Sequence, residues 1–309
     1  MRGKTTKSWT EVRASAMAKN TFNPIRNILE TMTLTPNPDK KMISLSIGDP
    51  TVFGNLTPPA SLVQALKESV DSGKNNGYAP STGYVLLICL AQYSFSTAFF
   101  LNRFPEARQA VADHVGDNLT LNDVILCSGC SCSLDLCISA MANPGDNILV
   151  PRPGFPLYTT LANGLGIKTK EYDLQPEKDW QVDLEHMESM VDDNTVAILI
   201  NNPSNPCGSV FDEDHLKDIL AIAEKYCLPI IADEIYEHFV FNGSDKVYTP
   251  LAKLSSNVPI LSCGGLTKRY LVPGWRLGWI TIHDRNDIFK TSGIRQGLQS
   301  LSQVSIIRL

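Results

Sequence analysis

With 309 residues, 43% of them hydrophobic, the chain can bury a large core, either as one sizeable domain or as a large domain with a smaller piece. Lys and Arg number 27 against 32 Asp and Glu, a formal net charge of -5, and no basic stripe alternates with aromatics. That balance argues against nucleic acid as a partner.

Residues Met1 to Asn20 hold five basic residues and one acid, the charge of a transit peptide without its amphipathic Arg/Ser pattern. The expectation is therefore cytoplasmic, with a mitochondrial location second. From Val85 to Leu101 run 17 uncharged residues, at the low limit for a membrane span, but Gln92, Ser94, Ser96 and Thr97 weigh against that reading. No membrane association is expected.

Further on, short apolar runs alternate with helical stretches. DVILCSG precedes SLDLCISAMANPG, NILVPRP precedes FPLYTTLANGLG, and TVAILINNP precedes DEDHLKDILAIAEKYC; PIIADEIY, VPILSCGG and RLGWITIHD continue the series. Such alternation implies an α/β fold, a mainly parallel mixed sheet with helices on both faces and its site at the carboxyl ends of the strands. Asn143-Pro144-Gly145-Asp146, Asn163-Gly164 and Asn242-Gly243 supply turn signals between elements. From Asp287 onward the pattern is helical.

The eight cysteines lie mostly in apolar runs and read as buried thiols of a reducing compartment. Cys127, Cys130, Cys132 and Cys137 invite a metal reading, but no second Cys/His pair follows at zinc-site spacing, so no metal is expected.

Four strand ends carry candidate chemistry. Ser128-Gly129-Cys130-Ser131 stands between a strand and a helix, where unpaired amides suit a phosphate, although the motif is weak alone. Asn201 to Gly208, NNPSNPCG, brings rigid polar backbone to the same edge and is by itself a turn. Asp233, with Tyr236 three residues later, could pair with a protonated pyridine nitrogen and a ring oxygen, or be the N-cap of a following helix. Lys268, just past SCGG and eight residues before Arg276, is either a nucleophilic amine freed by partial desolvation or, with Arg269, a solvated basic pair. Arg276 could hold a phosphate bidentately.

Together with Ser46-Ile47-Gly48-Asp49-Pro50 and Asn76-Gly77-Tyr78-Ala79-Pro80, this set resembles the class I/II aminotransferases of the fold-type I pyridoxal-phosphate enzymes. The phrases NTFNPIR, LVPRPGF, NNPSNPCGSVF and ILSCGGLTKRYLVPGWRLGW look like the tyrosine aminotransferase family within that class. The likeness covers about 19 to 83 and 109 to 303. It implies pyridoxal 5'-phosphate as cofactor and transfer of the amino group of L-tyrosine to 2-oxoglutarate. Lys268 would carry the cofactor and shuttle a proton, Asp233 would keep its ring nitrogen protonated, and Asn205 and Tyr236 would bond its ring oxygen. Phe155 would stack on the ring. Gly129, Cys130, Ser131 and Arg276 would bind the phosphate, joined by Tyr78 from the other subunit of a homodimer. Gly48 would offer backbone to the substrate carboxylate.

The same resemblance implies an arm and part of a small domain over 1–75 and a large cofactor-binding domain over 76–309. Within the latter, an apolar stretch of about 85–108 reads as an insert, and Cys132 stands where the family has a larger amide. The resemblance also implies more than a hundred further residues, which would complete the small domain and supply an arginine for the substrate carboxylate. Two other readings share the motifs: a related carbon–sulfur lyase, and a catalytically inactive truncated isoform.

Overall fold

A computed structural model describes residues 14–33, 35–43, 49–73 and 105–307. Gly48, Tyr78 and the apolar run from Val85 to Leu101 lie outside these residues, as does Cys89. In chain order the elements are α1 (Ala16–Asn20), α2 (Pro24–Thr31), α3 (Ala60–Asp71), α4 (Pro105–Val115), β1 (Val124–Ser128), α5 (Cys130–Met141) and β2 (Asn147–Arg152). There follow α6 (Leu157–Gly164), β3 (Lys168–Gln175), β4 (Gln181–Val182), α7 (Leu184–Ser189), β5 (Thr195–Asn201), α8 (Glu213–Lys225) and β6 (Ile230–Asp233). The series closes with α9 (Leu251–Leu254), β7 (Ile260–Gly265), α10 (Leu266–Arg269), β8 (Leu277–His283), α11 (Ile288–Thr291) and α12 (Ile294–Ile307).

The eight strands form one sheet in the order β1-β8-β7-β6-β5-β2-β3-β4. The pairs from β7 through β3 are parallel, whereas β8 runs antiparallel to both neighbours and β4 antiparallel to β3. The expected mainly parallel α/β sheet is therefore present. Strands β6, β7 and β8 are buried along their whole length because helices cover both faces. On one face Leu134, Ile138 and Leu298 of α5 and α12 pack with Ile125, Ile148 and Ile280; on the other, Leu216, Ile219 and Ala223 of α8 pack with Ile198, Ile200 and Ile230. A third cluster joins Leu62 and Ala65 of α3 and Val111 of α4 to Leu126 and Trp279.

Register places the chemistry. Asn201 pairs with Asp233 and Asp233 with Cys263, so the carboxyl ends of β5 and β6 finish level and β7 runs two residues past them to Gly265. Because β8 runs backward, its first residue Leu277 pairs with Ser128, the last of β1. Reversal thus delivers Arg276, just ahead of β8, to the same edge as the parallel strand ends.

Three details depart from the sequence reading. The strand β3, KTKEYDLQ, has no apolar run to mark it; only Tyr172 and Leu174 are buried, as suits a strand near the sheet's edge. Asn163-Gly164 closes α6 rather than forming the turn, which falls at Leu165 and Gly166. Residues 105–108, assigned to the end of the insert, are the first turn of α4.

Candidate active site

A cleft of about 630 Å³ opens at the carboxyl edge, and its walls include Cys130, Ser131, Phe155, Asn205, Asp233, Tyr236, Lys268 and Arg276. Eight of the residues singled out from sequence are thereby brought together, with Gly129 beside them as the N-cap of α5.

The floor is the turn from β1 into α5. The first amides of a helix have no intrahelical carbonyl and carry the positive end of its dipole. Gly129 has φ 76°, and a Cβ on it would lie 2.5 Å from Arg276 Nη2, so only glycine lets the guanidinium lie against this turn. Arg276 is itself fixed by donating to the carbonyls of Ser128 and Pro273, each at 3.2 Å. Gly278 makes the same approach from β8: a Cβ there would meet Gly129 C at 2.4 Å. Gly278→Ala is accordingly expected to push β8 away from the start of α5 and to cost about 1–3 kcal/mol, seen as a lower midpoint in calorimetric unfolding.

Asp233 ends β6 with 3% of its surface exposed. No helix follows it, so the alternative reading as an N-cap falls away; residues 235–238 form a turn. One carboxylate oxygen accepts from Tyr158 Oη at 2.7 Å, and the other from Cys130 Sγ at 3.5 Å and the Ile235 amide at 3.3 Å. Burial pushes this carboxyl up, and the bonds from Tyr158, Ile235 and Cys130, with the charge of Lys268, pull it only part of the way back. Its direct donors are all neutral, and a buried carboxylate so placed gains most from a cationic partner.

Lys268 is half-buried in the short α10, with Nζ 5.5 Å from the centre of the Tyr236 ring. Phe155 stands edge-on to Tyr158, with ring centres 5.8 Å apart. Asn205 is positioned by Asn201, whose side chain accepts from the Asn205 amide at 2.6 Å and donates to the Asp233 carbonyl at 3.0 Å. Near Gly48, Asp49 accepts from the Thr51 hydroxyl and amide, which hold its carboxyl below the usual range, and the charge of Lys268 adds to that effect. Asp49 is thus close enough to Lys268 to feel its charge.

Sequence reasoning missed Tyr158 and Gly278, and read Asn201 only as part of a turn. Tyr158 follows Phe155 by three residues, one helical turn, which is the only signal the sequence offers. Nothing in it links Asn201 to Asp233.

Next to the cleft, half-buried Glu234 accepts from the Leu251 amide at 3.0 Å, and burial pushes its carboxyl up from 4.5 to about 7. A group whose pKa rises on folding stabilises the native state below its unfolded value, and loses that contribution as pH rises through the folded one. Glu234→Gln is therefore expected to gain stability relative to the parent as pH goes from 5 to 8. Part-exposure brings the gain to on the order of 2 kcal/mol, and urea unfolding at both pH values would measure it.

Of the described cysteines, Cys127, Cys137 and Cys263 are buried as expected, but Cys227 is exposed. Among the described residues no helix is long and apolar enough to cross a membrane.

Neighbouring strand ends, a glycine turn beside an arginine, a buried acid and a lysine meet in the cleft of an α/β fold. The chain belongs to the class I and II aminotransferases, whose family model matches residues 40–307. It is 55% identical to tyrosine aminotransferase of Mus musculus over 302 residues, covering 98% of this chain and 62% of that protein. It is 56% identical to tyrosine aminotransferase of Homo sapiens over 292 residues, 94% of this chain and 60% of that protein. The crystal structure of tyrosine aminotransferase from Leishmania infantum matches with a TM-score of 0.78 at 35% identity, covering 96% of this chain and 73% of that one. The chain thus spans about three fifths of the length of the curated relatives it matches.

Proposed function

We propose that the protein is a pyridoxal-phosphate-dependent aminotransferase that moves the amino group of L-tyrosine, or a related aromatic amino acid, to 2-oxoglutarate. One observation carries this reading: Lys268, Asp233, Tyr236, Asn205, Phe155, Arg276 and the start of α5 line a single cleft, although they come from six separate stretches of chain. The donor set fits the cofactor on its own chemistry: Arg276 lies against the Gly129 turn at the start of α5, and among the described residues the direct donors to the buried Asp233 are all neutral.

When bound, pyridoxal phosphate supplies an electrophilic carbonyl and a ring that accepts electrons. Lys268 Nζ is the amine that would hold it and, when free, would carry the proton from the substrate α-carbon to the cofactor. Asp233, oriented by Tyr158, would keep a proton on the ring nitrogen. Tyr236 and Asn205 would donate to the ring oxygen, and Phe155 would cover a ring face and exclude water. Arg276 and the backbone at Gly129, Cys130 and Ser131 would bind the phosphate, the Gly129 amide itself donating to the Cys127 carbonyl at 2.8 Å. By the family resemblance, Gly48 would offer its backbone to the substrate carboxylate and Tyr78 would serve the phosphate of the other subunit in a homodimer. The division into 1–75 and 76–309 and a cytoplasmic location belong to the same reading.

The test is a half-reaction. Cofactor-loaded protein mixed with L-tyrosine alone should release the corresponding oxo acid in an amount equal to bound cofactor, and turn over only when 2-oxoglutarate is added. Release of ammonia or a thiol from a sulfur-containing amino acid, without need of an oxo acid, would overturn the reading in favour of a lyase.

A further inference from the structure

We propose that His114, Glu237 and His238 form a binding site for a divalent transition-metal ion of the zinc type, outside the cleft. His114 lies in the last turn of α4, and Glu237 and His238 in the turn after β6. Glu237 Oε1 is 3.0 Å from His114 Nε2 and 3.0 Å from His238 Nε2, and the two nitrogens are 3.4 Å apart. Ligands at metal–nitrogen and metal–oxygen bonds of about 2.0–2.1 Å in a tetrahedron stand roughly 3.3–3.4 Å from one another. The observed triangle is close to that size. Two imidazoles and one carboxylate are a borderline donor set, suited to zinc, cobalt, nickel or copper rather than to magnesium or calcium.

The electrostatics agree. The open side of the triangle faces a cation already: Arg269 Nη1 lies 2.6 Å from His238 Nε2 and 3.5 Å from His114 Nε2. An entering ion displaces this guanidinium, which retains the Tyr270 ring at 5.2 Å, and water completes the coordination. The three side chains keep 21–36% of their surface exposed, enough for an ion to enter. The site also touches both walls of the cleft through the chain, since Glu237 follows Tyr236 and Arg269 follows Lys268.

Cobalt(II) titration of the full chain, followed by zinc(II) competition, tests the site. One ion per chain should bind with a weak visible d–d band and be displaced by zinc. His114→Ala and His238→Ala, each checked for folding by circular dichroism, should weaken binding roughly ten-fold or more. His238→Asn, at the most exposed of the three positions, serves if either alanine variant fails to fold. No saturable binding, an intense near-ultraviolet thiolate band placing the ion on cysteine, or unchanged affinity in the folded variants would overturn the proposal.

Discussion

Lys268→Ala is expected to abolish the visible band that added pyridoxal phosphate gives the parent chain, and to lower tyrosine turnover by about 10³-fold or more. Lys268 is the one lysine among the described residues lining the cleft, so no neighbouring amine can substitute for it. Methyl replacement also removes a cation whose charge is felt by both Asp233 and Asp49. Borohydride reduction of the loaded parent followed by peptide mapping should place the label on Lys268. A band of equal strength in the variant, or a label on another lysine, would sink the assignment. Tyr236 separates two outcomes that activity alone confuses: its ring lies 5.5 Å from Nζ, so Tyr236→Phe should retain the lysine-dependent band but shift its position.

What the sequence disclosed and what it concealed follow one physical rule. Strands buried on both faces, such as ILSCGG of β7 and LGWITIH of β8, announce themselves as unbroken apolar runs, and the residues just beyond them were legible as site candidates by position alone. The partly exposed β3 carries Lys168, Lys170, Glu171 and Asp173 and gives no such signal. Likewise, Lys268, Asp233 and Arg276 stand in short chemical phrases, whereas the contacts that orient them join distant residues. Tyr158 meets Asp233 across 75 positions, Arg276 meets Ser128 across 148, and Glu237 meets His114 across 123. Only the register of the sheet and the reversal of β8 decide those meetings, and neither is written locally. The same limit explains the metal reading. Cysteine spacing was visible and pointed to no site, while the adjacent Glu237 and His238 meet a histidine 123 positions away.

Asp233→Asn should separate the catalytic from the structural share of the buried acid. Asparagine has the same shape, and its one amide oxygen can still accept from Tyr158, but it carries no charge and presents an N–H₂ donor where a protonated ring nitrogen needs an acceptor. Breaking a buried ion pair by neutralising one member costs about 3–5 kcal/mol, which corresponds to roughly 10²–10⁴-fold in rate. Stability should respond far less and in a mixed direction. The variant weakens the bonds from Cys130 and Ile235, yet it also removes a carboxylate that burial disfavours, so the net change in unfolding free energy should stay within about 1–2 kcal/mol. Steady-state turnover and urea unfolding of the same preparation give both numbers. A rate within ten-fold of the parent would mean that Asp233 serves the fold, held by Tyr158 and Cys130 for packing alone. A large rate loss with near-parental stability would leave polarisation of the cofactor ring as its work, and would make Tyr158, which orients it, the next residue to change.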